Sequence, residues 1–221
     1  MKLRLVSGGR GPARGESTSQ TPRSADDLGP MVAAARDGSQ GAIRTLVSAV
    51  GPAILKTLRR VLGARHPELE DAAQESVFAF VTALPSFRGA CSTLHFACRI
   101  AVLTALKRRR AEPPPADVLP ADDHPAAPAL PGTSETPLAA LVSARRRAVL
   151  RELLRELPEP QGEALALHLV LGHSVEEVAA AVGAPGNTVR SRIRLGKEAL
   201  RARIAADARL AELLAVSQEE R

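Results

Sequence analysis

Residues 112–137, EPPPADVLPADDHPAAPALPGTSETP, constrain this chain more than any other stretch. Eight of the 26 positions are proline, five are acidic and none is lysine or arginine. Proline fixes φ and removes a backbone donor, so such a run joins neither a helix nor a sheet ladder. It predicts an extended linker that divides the 221 residues into two parts. Both parts repeat apolar residues at three- and four-residue spacing, and neither carries the alternation of a half-buried strand. The expected fold class is therefore all-α: two helical modules joined by a Pro-rich, flexible linker.

Residues 1–25 carry five cations against Glu16 and no periodicity, and read as a disordered basic arm. The first module, 26–111, predicts four helices, at about 27–37, 41–62, 67–84 and 92–110. Pro52 is a candidate start of a new segment inside the second of these, and Pro85 ends the third. After the acidic linker at 112–137, the second module covers 138–204. Its expected helices lie at about 138–157 and 161–171, ahead of a final helix pair. Residues 205–221 read as a C-terminal helical extension.

The last part of the second module, SVEEVAAAVGAPGNTVRSRIRLGKEALRARI, has the pattern of two short helices around a tight turn. Ser174 and Glu177 match a capping box. Gly183 suits a left-handed helix end, and Pro185 suits the front of the next helix. Val189, Ile193, Gly196, Leu200 and Ile204 fall on one face of that helix. Arg190, Arg192, Arg194, Lys197, Arg201 and Arg203 surround the rest, opposed only by Glu198. An apolar docking seam beneath a cationic face matches a helix-turn-helix whose second helix enters the major groove. An ordinary helical hairpin with a solvated basic face is the other reading of the same spacing.

The net charge of +6 and pI near 10.3 suit a polyanionic partner. Cys91 and Cys98 are the only cysteines, too few for a disulfide framework, so a reducing cytoplasm is expected. The N-terminus lacks the apolar core of a signal peptide, and no apolar run is long enough to span a bilayer.

The run SFRGACSTLHFACRIA, at 86–101, resembles without a gap the promoter-melting region of extracytoplasmic-function (ECF) type RNA polymerase sigma factors. In that family a Ser-Phe-Arg-Gly loop leads into a helix ending Arg-Ile-Ala. Upstream, Glu70-Asp71-Ala72-Ala73-Gln74-Glu75-Ser76 is similar to the family's acidic motif for the polymerase clamp helices. Thr188-Val189-Arg190-Ser191-Arg192 resembles the signature of its second conserved domain. The three motifs occur in the family's order, and the resemblance covers about 27–110 and 138–204. It implies a sigma region 2-like first module and a region 4-like second one. It also implies core RNA polymerase and promoter DNA as partners, and an anti-sigma factor by family analogy.

The resemblance assigns Asp71, Gln74 and Glu75 to core polymerase binding. Helical spacing sets them with Phe78 opposite the inward residues Leu69, Ala72, Ala73, Val77, Phe80, Val81 and Leu84, and makes Phe78 a candidate anchor. Promoter melting needs a pocket for extruded bases and cations for the backbone. Ser86, Phe87, Arg88, Phe96, Arg99, Lys107 and Arg108 are the candidates, with Arg109 and Arg110 as further phosphate partners. A helix C-terminus that gathers cations for its dipole explains the last four equally well. Phe96 stands where the family usually has tryptophan, and Cys98 where tyrosine is common. Base reading falls to Asn187, Thr188, Arg190, Ser191, Arg192, Arg194 and Lys197.

No phosphate-binding loop, dinucleotide fingerprint or nucleophile–base spacing is present, so no enzyme activity and no cofactor are expected. Cys91, His95 and Cys98 share one helical face but lack a fourth ligand, so no metal site is expected. A sigma factor is the leading reading. A stand-alone helix-turn-helix regulator and a redox or metal sensor built on those three residues are the alternatives.

Overall fold

The computed structural model describes residues 28–112 and 148–207, and all regular structure among them is helical. The first group comprises α1 (Gly29–Arg36), α2 (Gln40–Val61), α3 (Leu69–Ala83) and α4 (Thr93–Ala111). In the second group residues 148–156 form α5. Then come α6 (Glu159–Leu165), a five-residue π turn (Ala166–Val170), α7 (Val175–Val182) and α8 (Gly186–Ala206). The expected linker, the basic arm and the extension beyond Asp207 lie outside the described residues.

Local chemistry explains most boundaries. Ser39 and Ser92 cap α2 and α4 by accepting from the Ala42 and His95 amides. Pro158 precedes α6 and Pro160 sits in its first turn, where a missing N–H costs nothing. Pro52, by contrast, does not restart α2, which runs unbroken through it. Both Pro52 and Ser48, whose carbonyl loses its helical donor, are exposed, so solvent can satisfy that oxygen. Helix α3 stops one residue before the 3-10 turn Leu84–Ser86 that contains Pro85.

Leu46, Val50, Ile54, Leu58 and Val61 form the fully buried stripe of α2. They face α3 and α4, and α1 closes the N-terminal end. Helix α4 has a second set of neighbours. It packs on α2 and α3 and also against α6, α7 and the π turn. One continuous apolar core therefore runs from Phe80 and Leu106 to Leu154, Leu165, Val178 and Val189. Burial on this scale contributes about 1.5–3 kcal/mol per large aliphatic side chain. The two helical groups are docked, with α4 as the shared wall.

Candidate promoter and polymerase interfaces

The helix-turn-helix is built from the chemistry its sequence advertises. Ser174 Oγ accepts from the Glu177 amide at 3.1 Å, and Glu177 Oε2 accepts from the Ser174 amide at 2.8 Å. The Ser174 amide holds the Glu177 carboxyl below its ordinary value, against the effect of partial burial. Gly183 ends α7 at φ +68°, a conformation that a Cβ strains. Val189, Ile193, Gly196 and Leu200 are buried, which fixes the rotation of α8. A Cβ on Gly196 would stand 2.5 Å from Leu165 Cδ1, so only glycine allows α8 this close to α6.

That rotation turns Asn187, Thr188, Arg190, Ser191 and Arg194 to solvent, with Arg192 and Lys197 at the flanks of the exposed face. Arg190 donates to Asn187 Oδ1 and to Glu176 of α7, both at 3.1 Å, so its guanidinium is held across the two helices. Arg194 pairs with Glu198 at 2.9 Å. Arg192 and Lys197 have no acidic partner among the described residues.

The cations of α4 are placed very differently. Arg99 Nε donates at 2.6 Å to Glu163, a buried carboxylate of α6. Arg108 pairs with Glu68 at 2.7 Å and with Glu75 at 2.8 Å, and Lys107 reaches Glu75 at 3.4 Å. Burial alone would raise the Glu75 carboxyl, but hydrogen bonds and charge from Arg108 and Lys107 hold it below its ordinary value. Arg110 donates to Glu159 at 3.4 Å and to the Leu157 carbonyl at 3.3 Å.

Arg109 is not a surface phosphate partner. It is buried, donates to the Val61 and Leu62 carbonyls at 2.9 and 2.6 Å, and pairs with Glu152 of α5. One guanidinium thus satisfies the C-terminal carbonyls of α2 and joins the two helical groups. Its inward position follows from the helix itself, since Ala101, Val102, Ala105 and Arg109 share the buried face of α4.

The loop before α4 divides its residues between core and surface. Ser86 is exposed, its hydroxyl donating to the Ala83 carbonyl at 2.8 Å, and Arg88 is exposed. Phe87 is instead buried, its ring stacked on Phe96 with centroids 4.6 Å apart, and Phe96 in turn meets Phe80 at 6.0 Å. The Phe87 ring therefore completes the core at the mouth of α3 and α4 and offers no free face to an extruded base. Phe96 is half-buried in the same cluster.

On α3, Asp71 and Gln74 are exposed and Phe78 is 73% exposed, the most open large apolar side chain described. Glu75, one step around the helix, is tied to α4 and is the least available of the acidic face. Cys91, His95 and Cys98 are not brought together as a ligand set, and no group of three such side chains among the described residues is placed to hold a metal. Cys98 accepts from the Thr57 hydroxyl at 3.5 Å. Burial pushes its thiol up against that bond and the nearby Arg60 and Lys56, the opposite of an activated thiolate.

Residues 147–200 match the family model described as Sigma-70, region 4. The chain is 34% identical over 142 residues to the RNA polymerase sigma-H factor of Pseudomonas aeruginosa, an alignment covering 60% of this chain and 71% of that protein. It is 33% identical over 175 residues to the ECF RNA polymerase sigma factor SigD of Mycobacterium tuberculosis, covering 74% and 77%. The chain belongs to the ECF sigma factors. Its fold is similar to that of CnrH, solved in complex with the cytosolic domain of CnrY. There the identity is 23%, the TM-score 0.50, and 81% of this chain and 97% of that one are covered. No helix among the described residues is long and apolar enough to cross a membrane.

As an alternative sigma factor, the chain directs transcription. Residue patterns missed the contacts that join its two helical groups, Arg99–Glu163, Arg109–Glu152 and Arg110–Glu159 among them. One signal was available. Glu163 is the only charge in the apolar run GEALALHLV, and a lone charge there has to find a buried partner. In the fold Gly162 makes room for this junction, since a Cβ there would meet the Leu154 carbonyl at 3.3 Å and the Arg110 guanidinium at 3.5 Å.

Proposed function

We propose that this sigma factor docks on core RNA polymerase through the outer face of α3 and reads the upstream promoter element with α8. Asp71 and Gln74 meet basic groups of the polymerase clamp, and Phe78 is the apolar anchor between them. Its 73% exposure is the observation that carries this reading, because an aromatic ring left so open is placed to be covered by a partner. In the major groove, Arg192 and Lys197 are free to meet bases and phosphates. Thr188 and Ser191 lie beside them, while Arg190 and Arg194 arrive already oriented.

The first module handles the downstream element, with Arg88 and Ser86 at the loop and Arg99, Lys107 and Arg108 along α4. Phe96 can contribute a face to an unstacked base only if the loop carrying Phe87 moves aside. Polymerase performs the chemistry, in the cytoplasm, and this chain needs no cofactor. By family analogy an anti-sigma protein restrains it.

Reconstitution with bacterial core polymerase tests the docking. Asp71→Ala combined with Phe78→Ala is expected to weaken core binding at least tenfold, with the fold and the helix-turn-helix intact. Unchanged core binding by a folded double variant overturns the docking face. Tight, specific duplex binding without polymerase would favour a stand-alone regulator instead.

A further inference from the structure

Where α4 meets α7, ionisable side chains from three elements converge. His95 of α4 and His173, in the turn before α7, stack with ring centroids 4.4 Å apart. His95 Nε2 lies 3.8 Å from Glu177 Oε1, while the other Glu177 oxygen is occupied by the Ser174 amide. His173 Nδ1 is buried with no hydrogen-bond partner, and its backbone carbonyl is bonded to His168 Nδ1 at 2.8 Å. Arg60 of α2 adds a further positive charge to the environment of His173.

The Glu177 carboxylate faces His95, not His173. A proton on His173 has no acceptor at Nδ1 and sits between His95 and the field of Arg60. We propose that the His95–His173–Glu177 contact is an acid-operated latch, holding the two helical groups together while His173 is neutral and releasing them when His173 takes up a proton.

Burial first, then the charges of His95 and Arg60, hold the His173 imidazole below its ordinary value of 6.5, against the pull of Glu177. Separation of the groups restores the ordinary value. Opening therefore takes up a proton, so the closed form is favoured above pH 6.5 and is lost progressively below it. With one proton coupled, the open-to-closed ratio changes by at most about tenfold per pH unit. Opening also separates Arg99 from Glu163. That this frees α4 for a melted strand rests on the proposed function, whereas the latch itself does not.

Small-angle X-ray scattering of the full chain between pH 7.5 and 5.5, with far-ultraviolet circular dichroism in parallel, tests the latch without polymerase or DNA. The radius of gyration is expected to rise as the pH falls while helicity stays constant. His173→Gln should remove the rise, and His95→Gln, which takes away the ring stacked on His173, should reduce it. Glu177→Gln keeps the cap but loses the charge facing His95, and should move the rise to higher pH. A constant radius down to pH 5.5 overturns the proposal. So does an unaltered rise in a folded His173→Gln variant, or a rise that tracks loss of helix.

Discussion

Helix α4 carries five cations and α8 carries six, and the two runs look alike in sequence. In the folded chain all five cations of α4 have acidic partners: Glu163, Glu75, Glu68, Glu152 and Glu159. Of the six on α8, Arg192, Lys197 and Arg201 have none among the described residues. Those that do, Arg190, Arg194 and Arg203, pair at the solvent surface. Position in the architecture separates them. Helix α4 is a wall with neighbours on both sides, so its cations meet carboxylates or carbonyls. Helix α8 has a single buried seam, and everything off that seam stays open to a polyanion. Arginine density therefore reports an open nucleic-acid face only where the helix has an unoccupied side; on α4 the cations reach DNA only by leaving their carboxylates.

The most severe test of that contrast is Arg109→Ala against Arg192→Ala in urea unfolding. Loss of Arg109 leaves two buried carbonyls unpaired and Glu152 with Arg155 alone, at 3.8 Å, and is expected to cost about 3–5 kcal/mol. Loss of Arg192 should change stability by no more than about 0.5 kcal/mol. Similar values for the two would erase the distinction. Promoter binding by the holoenzyme should invert the order. Arg192→Ala is expected to cost about 1–3 kcal/mol at one or two bases, and Lys197→Ala to lower the salt slope by about one.

Gly196→Ala probes the seam of α8 instead of its charge. Overpacking against Leu165 is expected to cost about 1–3 kcal/mol in thermal unfolding. A neutral result would mean that α8 shifts on α6 without penalty. The smallest effect belongs to the Glu75–Arg108 pair. Because the folded carboxyl is held below 4.5, its contribution is present above that pH and fades as the pH falls through the folded value. Solvent screening limits it to roughly 0.5 kcal/mol or less. The loss of stability on acidification should be shallower by that amount in Glu75→Gln.

Local signals were legible wherever a boundary depends on neighbours in the sequence. The Ser174–Glu177 box, Gly183 and the stripe Val189–Ile193–Gly196–Leu200 all lie within a few residues of what they control, and the structure places them as their spacing predicts. Pro52 misled because proline's cost depends on whether the orphaned carbonyl is wet, a property of the folded surface. Phe87 and Arg109 misled for a related reason. Each is a residue type with a ready functional use, yet each points into a core assembled from segments far apart in the chain. The acidic motif was legible as a helix face. That Glu75 would be claimed by Arg108, 33 residues on, was not.

The groups Arg109 joins lie between 43 and 48 residues away along the chain. Contacts that close loops of this length gain nothing until both ends are ordered, so they form late in folding, after the local helices. An interaction made after the rate-limiting step leaves the folding rate almost untouched and governs how fast the native state is lost. Arg109 is thus expected to set the lifetime of the docked chain more than its rate of formation. A stopped-flow chevron for Arg109→Ala should show a raised unfolding limb beside an almost unmoved folding limb.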